Sequence, residues 1–301
     1  MTAPWRPRPW CTTPPSSPRI GSSKSSIAQR WCGSAMVQMT KRWPLGMIVP
    51  VQDPTPFSPF PPGQWRKALR EVAKAGYSAV ELAVTDPTKV DHEEMAEALR
   101  EAGLRLSSLT TGQAAAKEGL SLSTREDTVR ERAIRRIQDH MRLARPHGAV
   151  VIVGLLRGAD GSPDLLADSL RECARFDPSV KLALEPLNRY ESRLINTVGE
   201  ALEVVERVGA ENLGVLFDTF HANIEERSLS EAILLAKDRL FHVHLADSNR
   251  WVPGYGHLRF RKITTALEEV GYRGALVVEA LPRPSPTVLL SFPGQAGVLF
   301  A

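Results

Sequence analysis

From Trp43 onward the chain alternates short apolar runs with longer amphipathic ones. The apolar runs are Leu45–Val51, Ser78–Val84, Arg105–Thr111, Ala149–Leu156, Lys181–Leu187, Leu213–Thr219, Leu240–Ala246 and Ala275–Leu281, and their length and spacing predict strands. Between them, Gln64–Ala75, Glu93–Ala102, Arg125–Ala144, Asp164–Phe176, Val198–Val208, Ser228–Lys237 and Lys262–Val270 carry apolar residues at three- and four-residue intervals, which predicts helices. Glycine after Ala75 and after Val270 supplies the expected stop. Eight strands alternating with helices over about 240 residues predict a (β/α)8 TIM barrel. A doubly wound sheet is the other arrangement of such a pattern, but the strands recur evenly and no glycine-rich phosphate loop follows the first.

The pattern fails at both ends. Residues 1–42 are rich in Pro, Ser and Thr and lack an apolar period, which predicts a disordered N-terminal tail. Their Arg- and Ser-rich composition also fits an organelle transit peptide, although the prolines oppose an amphipathic helix, and Met36 or Met39 offers a later start. After Leu281 the chain is punctuated by proline and offers only Val288–Phe292 and Val298–Ala301 as apolar stretches. The eighth helix is therefore expected to be atypical or missing, which divides the chain into a tail (1–42), a barrel domain (43–284) and an irregular C-terminal tail (285–301).

Composition narrows the class. The 301 residues are 43% hydrophobic and 24% charged, ordinary for a soluble globular protein. No window approaches the roughly 18 consecutive apolar residues of a spanning helix, so no membrane partner is expected. Cys11, Cys32 and Cys173 are few, odd in number and far apart, which argues against a disulfide framework and fits the cytoplasm. Residues 1–42 carry seven basic side chains and no acidic one, against +4 for the whole chain, so the remainder sums to −3. That balance gives no reason to expect nucleic acid.

Four successive strand runs, the fifth to the eighth, end in a side chain that an apolar run should not contain: LALE at Glu185, GVLFD at Asp218, FHVH at His244 and ALVVE at Glu279. Any one could pair with a neighbouring Lys or Arg. Intervals of 33, 26 and 35 residues, however, each equal about one strand–helix unit and bring all four to the C-terminal mouth of the barrel. Three carboxylates and one imidazole suit a single hard-to-borderline divalent ion, Mn²⁺ first, with Co²⁺ or Mg²⁺ also compatible. His242 shares the strand face of His244 and reads as a satisfied interior histidine. Glu191, His221 and Arg250 fall in loops leaving the same mouth and are candidates for binding substrate hydroxyls.

The segments Glu185-Pro-Leu-Asn-Arg-Tyr-Glu191, Asp218-Thr-Phe-His-Ala-Asn-Ile-Glu-Glu226 and His242-Val-His-Leu-Ala-Asp-Ser-Asn-Arg-Trp-Val-Pro-Gly-Tyr-Gly-His257 resemble the ketose 3-epimerases of the xylose-isomerase-like barrels. Thr111-Gly-Gln-Ala, Glu118-Gly-Leu-Ser-Leu-Ser and Gly154-Leu-Leu-Arg-Gly158 are similar in particular to the 5-keto-L-gluconate epimerase branch. The resemblance runs from about Leu45 to Pro284. It implies a metal held by Glu185, Asp218, His244 and Glu279, with Glu185 and Glu279 also the two acid/base groups. Glu191, His221, Arg250 and Gln113 would contact the sugar, and the enzyme would be a dimer or tetramer.

The implied reaction removes the proton at C3 of a ketose or ketogluconate and returns one to the opposite face, inverting the centre through a cis-enediolate. An aldose–ketose isomerase or an inosose dehydratase could use the same cage, and an inactive truncated barrel is the non-enzymatic alternative. A barrel nuclease would need several zinc ions and a basic face. One departure stands out: where the family usually reads Gly-His-x-Asp-Phe, this chain has Gly256-His257-Leu258-Arg259-Phe260, a cation where a carboxylate could cap the next helix.

Overall fold

The structure is a computed structural model that describes residues 43–300, so the expected disordered tail at 1–42 lies outside the described residues. Strands β1 (Leu45–Pro50), β2 (Ala79–Ala83), β3 (Arg105–Thr110), β4 (Val150–Val153), β5 (Leu182–Leu184), β6 (Leu213–Asp218), β7 (Leu240–Leu245) and β8 (Leu276–Val278) pair in parallel and in sequence order. β8 returns to β1 with Leu276 opposite Leu45, which closes the barrel. Each strand falls inside an apolar run. The runs are continuous rather than alternating because a barrel strand is covered on both faces, by the interior and by the helices.

The helices are α1 (Trp65–Lys74), α2 (His92–Ala102), α3 (Gly112–Glu118), α4 (Asp127–Ala144), α5 (Pro163–Phe176), α6 (Val198–Val208), α7 (Thr219–Glu225), α8 (Leu229–Ala236), α9 (Phe260–Glu269), α10 (Pro286–Ser291) and α11 (Pro293–Phe300). The long ones bury one apolar stripe, as α1 does with Trp65, Ala68, Leu69 and Val72. Local chemistry sets their starts: α6 opens on a capping box between Thr197 and Glu200. In contrast α9 has Arg259 at its N-cap and no side-chain cap bond, as the departure from the family pattern predicts. Among the described residues no helix is long and apolar enough to cross a membrane.

The end of the chain differs from the irregular tail expected. Residues 286–300 form α10 and α11, an atypical eighth element split in two, and they pack onto the barrel instead of leaving its seam open. Leu289 and Phe292 are fully buried, the Tyr77 hydroxyl donates to the Leu289 carbonyl at 2.7 Å, and the Phe300 ring packs edge-on against Phe260 and Phe292. The segment has no charged face, so hydrophobic periodicity gave no helical signal there.

Candidate functional site

The barrel mouth gathers the four strand-end groups. Asp218 closes β6 and His244 lies next to last in β7; Glu185 and Glu279 follow β5 and β8 by one residue. Their amides still belong to the ladder, Glu185 N–H donating to the Val153 carbonyl and Glu279 N–H to that of Leu245, both at 3.1 Å, so both carboxylates are held by sheet geometry. All four side chains are buried, and one ligand atom from each lies within 4.8 Å of the others. His244 Nδ1 stands 3.3 Å from Glu279 Oε2, 3.7 Å from Glu185 Oε1 and 3.8 Å from Asp218 Oδ2.

Yet Nδ1 has no hydrogen-bond partner, although it is buried. Donors about 2.1 Å from a common ion stand about 3–4 Å apart, so the spacing and the orphaned nitrogen both fit a divalent cation. A close approach at the end of β4 makes room: a Cβ on Gly154 would overlap Glu185 Oε2.

Arg250 is the cation the structure does place among these carboxylates. Its Nη1 donates to Asp218 Oδ2 at 3.0 Å and its Nη2 to Glu279 Oε2, and its guanidinium lies against the Phe57 and Phe220 rings. Burial disfavours its charge, but Asp218 and Glu279 outweigh that and raise its pKa. Its backbone takes a left-handed conformation, φ 61, which a non-glycine residue keeps only when its surroundings enforce it. Expected as a hydroxyl contact, Arg250 here bridges Asp218 and Glu279, two of the candidate ion ligands, while lining the cavity.

The other substrate candidates surround a cavity of about 340 Å³ above these groups. Asn188 donates to His221 Nδ1 through both its backbone N–H, at 3.2 Å, and its side-chain amide, at 2.8 Å, so Nδ1 is an acceptor and Nε2 carries the hydrogen. Burial lowers the His221 pKa to about 4, leaving the ring neutral. The Asn188 amide also donates to Glu191 Oε1 at 2.9 Å, which steadies a half-exposed carboxylate at the rim. Gln113 donates to the Asp53 carbonyl, while its buried Oε1 has no partner. Glu185, Glu191, His221, Arg250, Glu279 and Gln113 all line this cavity.

Sequence reasoning missed three residues. Glu81, in the middle of β2 and fully buried, accepts from both His242 and His244. Burial alone would raise its carboxyl pKa; the two histidines hold it well below the usual range. It satisfies the same criterion as the strand-end groups, a charge within an apolar run, but at mid-strand. Asn188, inside the Glu185–Glu191 motif, gains its role only through the fold, which sets its amide between His221 and Glu191. Buried Arg157 donates to the Glu185 carbonyl at 3.0 Å and to Ser192 Oγ and the Ile195 carbonyl, fixing the turn after β5. Like Asn188, Arg157 stands within a sequence motif, Gly154-Leu-Leu-Arg-Gly158, whose role becomes visible only in the fold. His242 is interior as expected, bonded to Glu81 and Ser108.

Comparison with known proteins places this geometry. The chain is 41% identical over 123 residues to the D-psicose 3-epimerase of Enterocloster bolteae, an alignment spanning 41% of this chain and 39% of that protein. It is 30% identical over 234 residues to the L-ribulose 3-epimerase of Methylomonas sp. strain DH-1, covering 72% of this chain and 80% of that one. Both relatives are named as epimerases, enzymes of the isomerase class. Among solved structures, D-psicose 3-epimerase with D-tagatose from Clostridium cellulolyticum H10 superimposes with a TM-score of 0.71 at 26% identity, over 85% of this chain and 97% of that one. With residues 69–290 matching its pattern, the chain belongs to the xylose isomerase-like TIM barrel family.

Proposed function

We propose that this protein is a metal-dependent epimerase that inverts C3 of a free, uncharged ketose. The observation that carries this reading is the pair Glu185 and Glu279, which directly follow β5 and β8, two strands separated by two others, and line one cavity. A divalent ion held by Glu185, Asp218, His244 and Glu279 would supply Lewis-acid stabilisation for the negative charge that develops when the C3–H bond breaks. One of the two glutamates takes that proton and the other returns a proton to the opposite face. The His221 Nε2–H, the Glu191 carboxylate, the unpartnered Gln113 Oε1 and the Arg250 guanidinium are placed to bind hydroxyl or carbonyl oxygens. Three carboxylates and one imidazole favour Mn²⁺ over zinc. We place the enzyme in the cytoplasm as a dimer or tetramer, on its cysteine usage and family resemblance.

Charge favours a neutral sugar over a ketogluconate or a sugar phosphate. Arg250 alone among the cavity-lining residues is cationic, and it is already paired with Asp218 and Glu279, whereas Glu185, Glu191 and Glu279 are acidic. With the proposed divalent ion counted, Glu185, Asp218, Glu279, Glu191 and Arg250 sum to about −1, and both cations are already met by carboxylates, so an anionic group on the substrate would have no unpaired cation to meet.

Purified protein with Mn²⁺ should be incubated in D₂O with D-psicose, L-ribulose, D-tagatose, a 5-ketogluconate and fructose 6-phosphate, and followed by NMR. The reading predicts 3-epimers carrying deuterium at C3 from the neutral ketoses and little turnover of the anions. An aldose product with hydrogen moved between C1 and C2 would replace it with an isomerase.

A further inference from the structure

We propose that Glu81 is a positioning residue for the ion site: by accepting the hydrogen on His244 Nε2 it turns the Nδ1 lone pair toward Glu185, Asp218 and Glu279. The inference rests on the ion proposed above and adds a residue from the opposite wall of the barrel.

Glu81 sits at the centre of β2, opposite Ser108 in the β2–β3 register, and is completely buried. Its Oε2 accepts from Ser108 Oγ at 2.6 Å, from His244 Nε2 at 3.0 Å and from His242 Nε2 at 3.2 Å, while Oε1 has no partner. All its hydrogen bonding thus converges on one oxygen facing the two histidines. The rings of His242 and His244 stand edge to face, 5.1 Å apart, which leaves little freedom for the His244 ring to turn over.

A carboxylate only accepts, so the His244 nitrogen facing it must carry a hydrogen. That leaves Nδ1 as the ligand atom, and Nδ1 is the nitrogen that lies buried without a hydrogen bond among three carboxylates. Were Glu81 apolar, the neutral ring could place its hydrogen on Nδ1 and aim it at the ion position. The other residues of β2 are Ala, Val, Leu and Ala, so the strand itself does not call for a charge, and replacing Glu81 alone would leave the buried Ser108, His242 and His244 donors without their acceptor. Carboxylates bonded to a metal-ligating histidine typically change metal affinity 10–100-fold.

The test compares Mn²⁺ binding by calorimetry in the wild type, Glu81→Leu and Glu81→Gln, with thermal melting of each metal-free protein. Glu81→Leu should lose on the order of 10–100-fold in affinity, read on the folded protein well below its melting temperature, and should melt below wild type because it strands buried donors. Glu81→Gln, whose amide oxygen can still accept from Nε2, should recover part of that loss. Unchanged affinity in both variants, with a wild type that binds, overturns the role of Glu81 and leaves the proposed function standing. A wild type that takes up no Mn²⁺ removes the ion site itself, and the proposed function with it. If neither variant folds, ¹⁵N-histidine spectra of Zn²⁺-loaded wild type decide: the account requires a retained Nε2–H and a metal-bound Nδ1 on His244, and an ion on Nε2 would overturn it.

Discussion

His244 Nδ1 is the one nitrogen in the proposed ion site, and it is buried without a hydrogen bond. Substituting His244→Ala should weaken Mn²⁺ binding more than about 100-fold by calorimetry, beyond the effect of losing an outer partner; unchanged affinity would remove the site. Gly154 makes a related point about space. A Cβ there meets Glu185 Oε2, so Gly154→Ala should reduce turnover by displacing one carboxylate while leaving the metal-free melting temperature near wild type. The strand-end groups were legible in the sequence because a charge closing an apolar run needs a partner, and four at barrel spacing need a common one. The Arg250 bridge was not legible, because it depends on the loop after β7 folding back over the mouth. Glu81 is legible by the same rule, a charge inside an apolar run, but it stands at mid-strand, where spacing does not bring it to the mouth.

At the scale of elements, each strand lies within its apolar run, and the errors concern short helices. α3 and α7 have seven residues each, too few for periodicity to register, and α7 depends on Asp218, whose Oδ1 caps it by accepting from Phe220 and His221 N–H. Asp218 therefore starts a helix with one oxygen and faces the ion position with the other. The uncapped start of α9 is correctable. Arg259→Asp supplies an acceptor and a favourable charge at that end, and should stabilise the protein by about 1 kcal/mol, raising the melting temperature by roughly 2–4 °C in calorimetry. No rise would show that the loop before α9 already satisfies those amides. Phe292, between α10 and α11, is fully buried against Phe300, and Phe292→Ala should cost about 3–5 kcal/mol in urea unfolding. A loss under 1 kcal/mol would mean that the C-terminal helices do not seal the barrel.

Across the whole molecule, ion pairs tie the loops of the mouth to the helical ring. Arg136 of α4 reaches Asp86, after β2, and Glu118 at the end of α3, and Asp86 also pairs with Lys89. Burial opposes the charge on Asp86, but bonds from Thr88, Lys89 and Arg136 hold its carboxyl well below the usual carboxylate range. A carboxyl depressed in the folded state stabilises it above the unfolded pKa of about 3.9, and that contribution is lost as pH falls through the lower folded value. Asp86→Asn should therefore melt below wild type at pH 7, with a difference that is constant down to about pH 4 and shrinks below it. A difference that grows on acidification would reverse the sign and contradict the depressed carboxyl.

The central claim, that Glu185 and Glu279 each serve one face of C3, is tested most directly by Glu185→Gln and Glu279→Gln with Mn²⁺, a substrate ketose and its 3-epimer in D₂O. Epimerisation should fall on the order of 10²–10⁴-fold in each variant, while the remaining glutamate still exchanges the C3 hydrogen of the one epimer whose proton it faces, a different epimer in each variant. Near-normal epimerisation in both variants, or exchange of the same epimer in both, would contradict the two-base account.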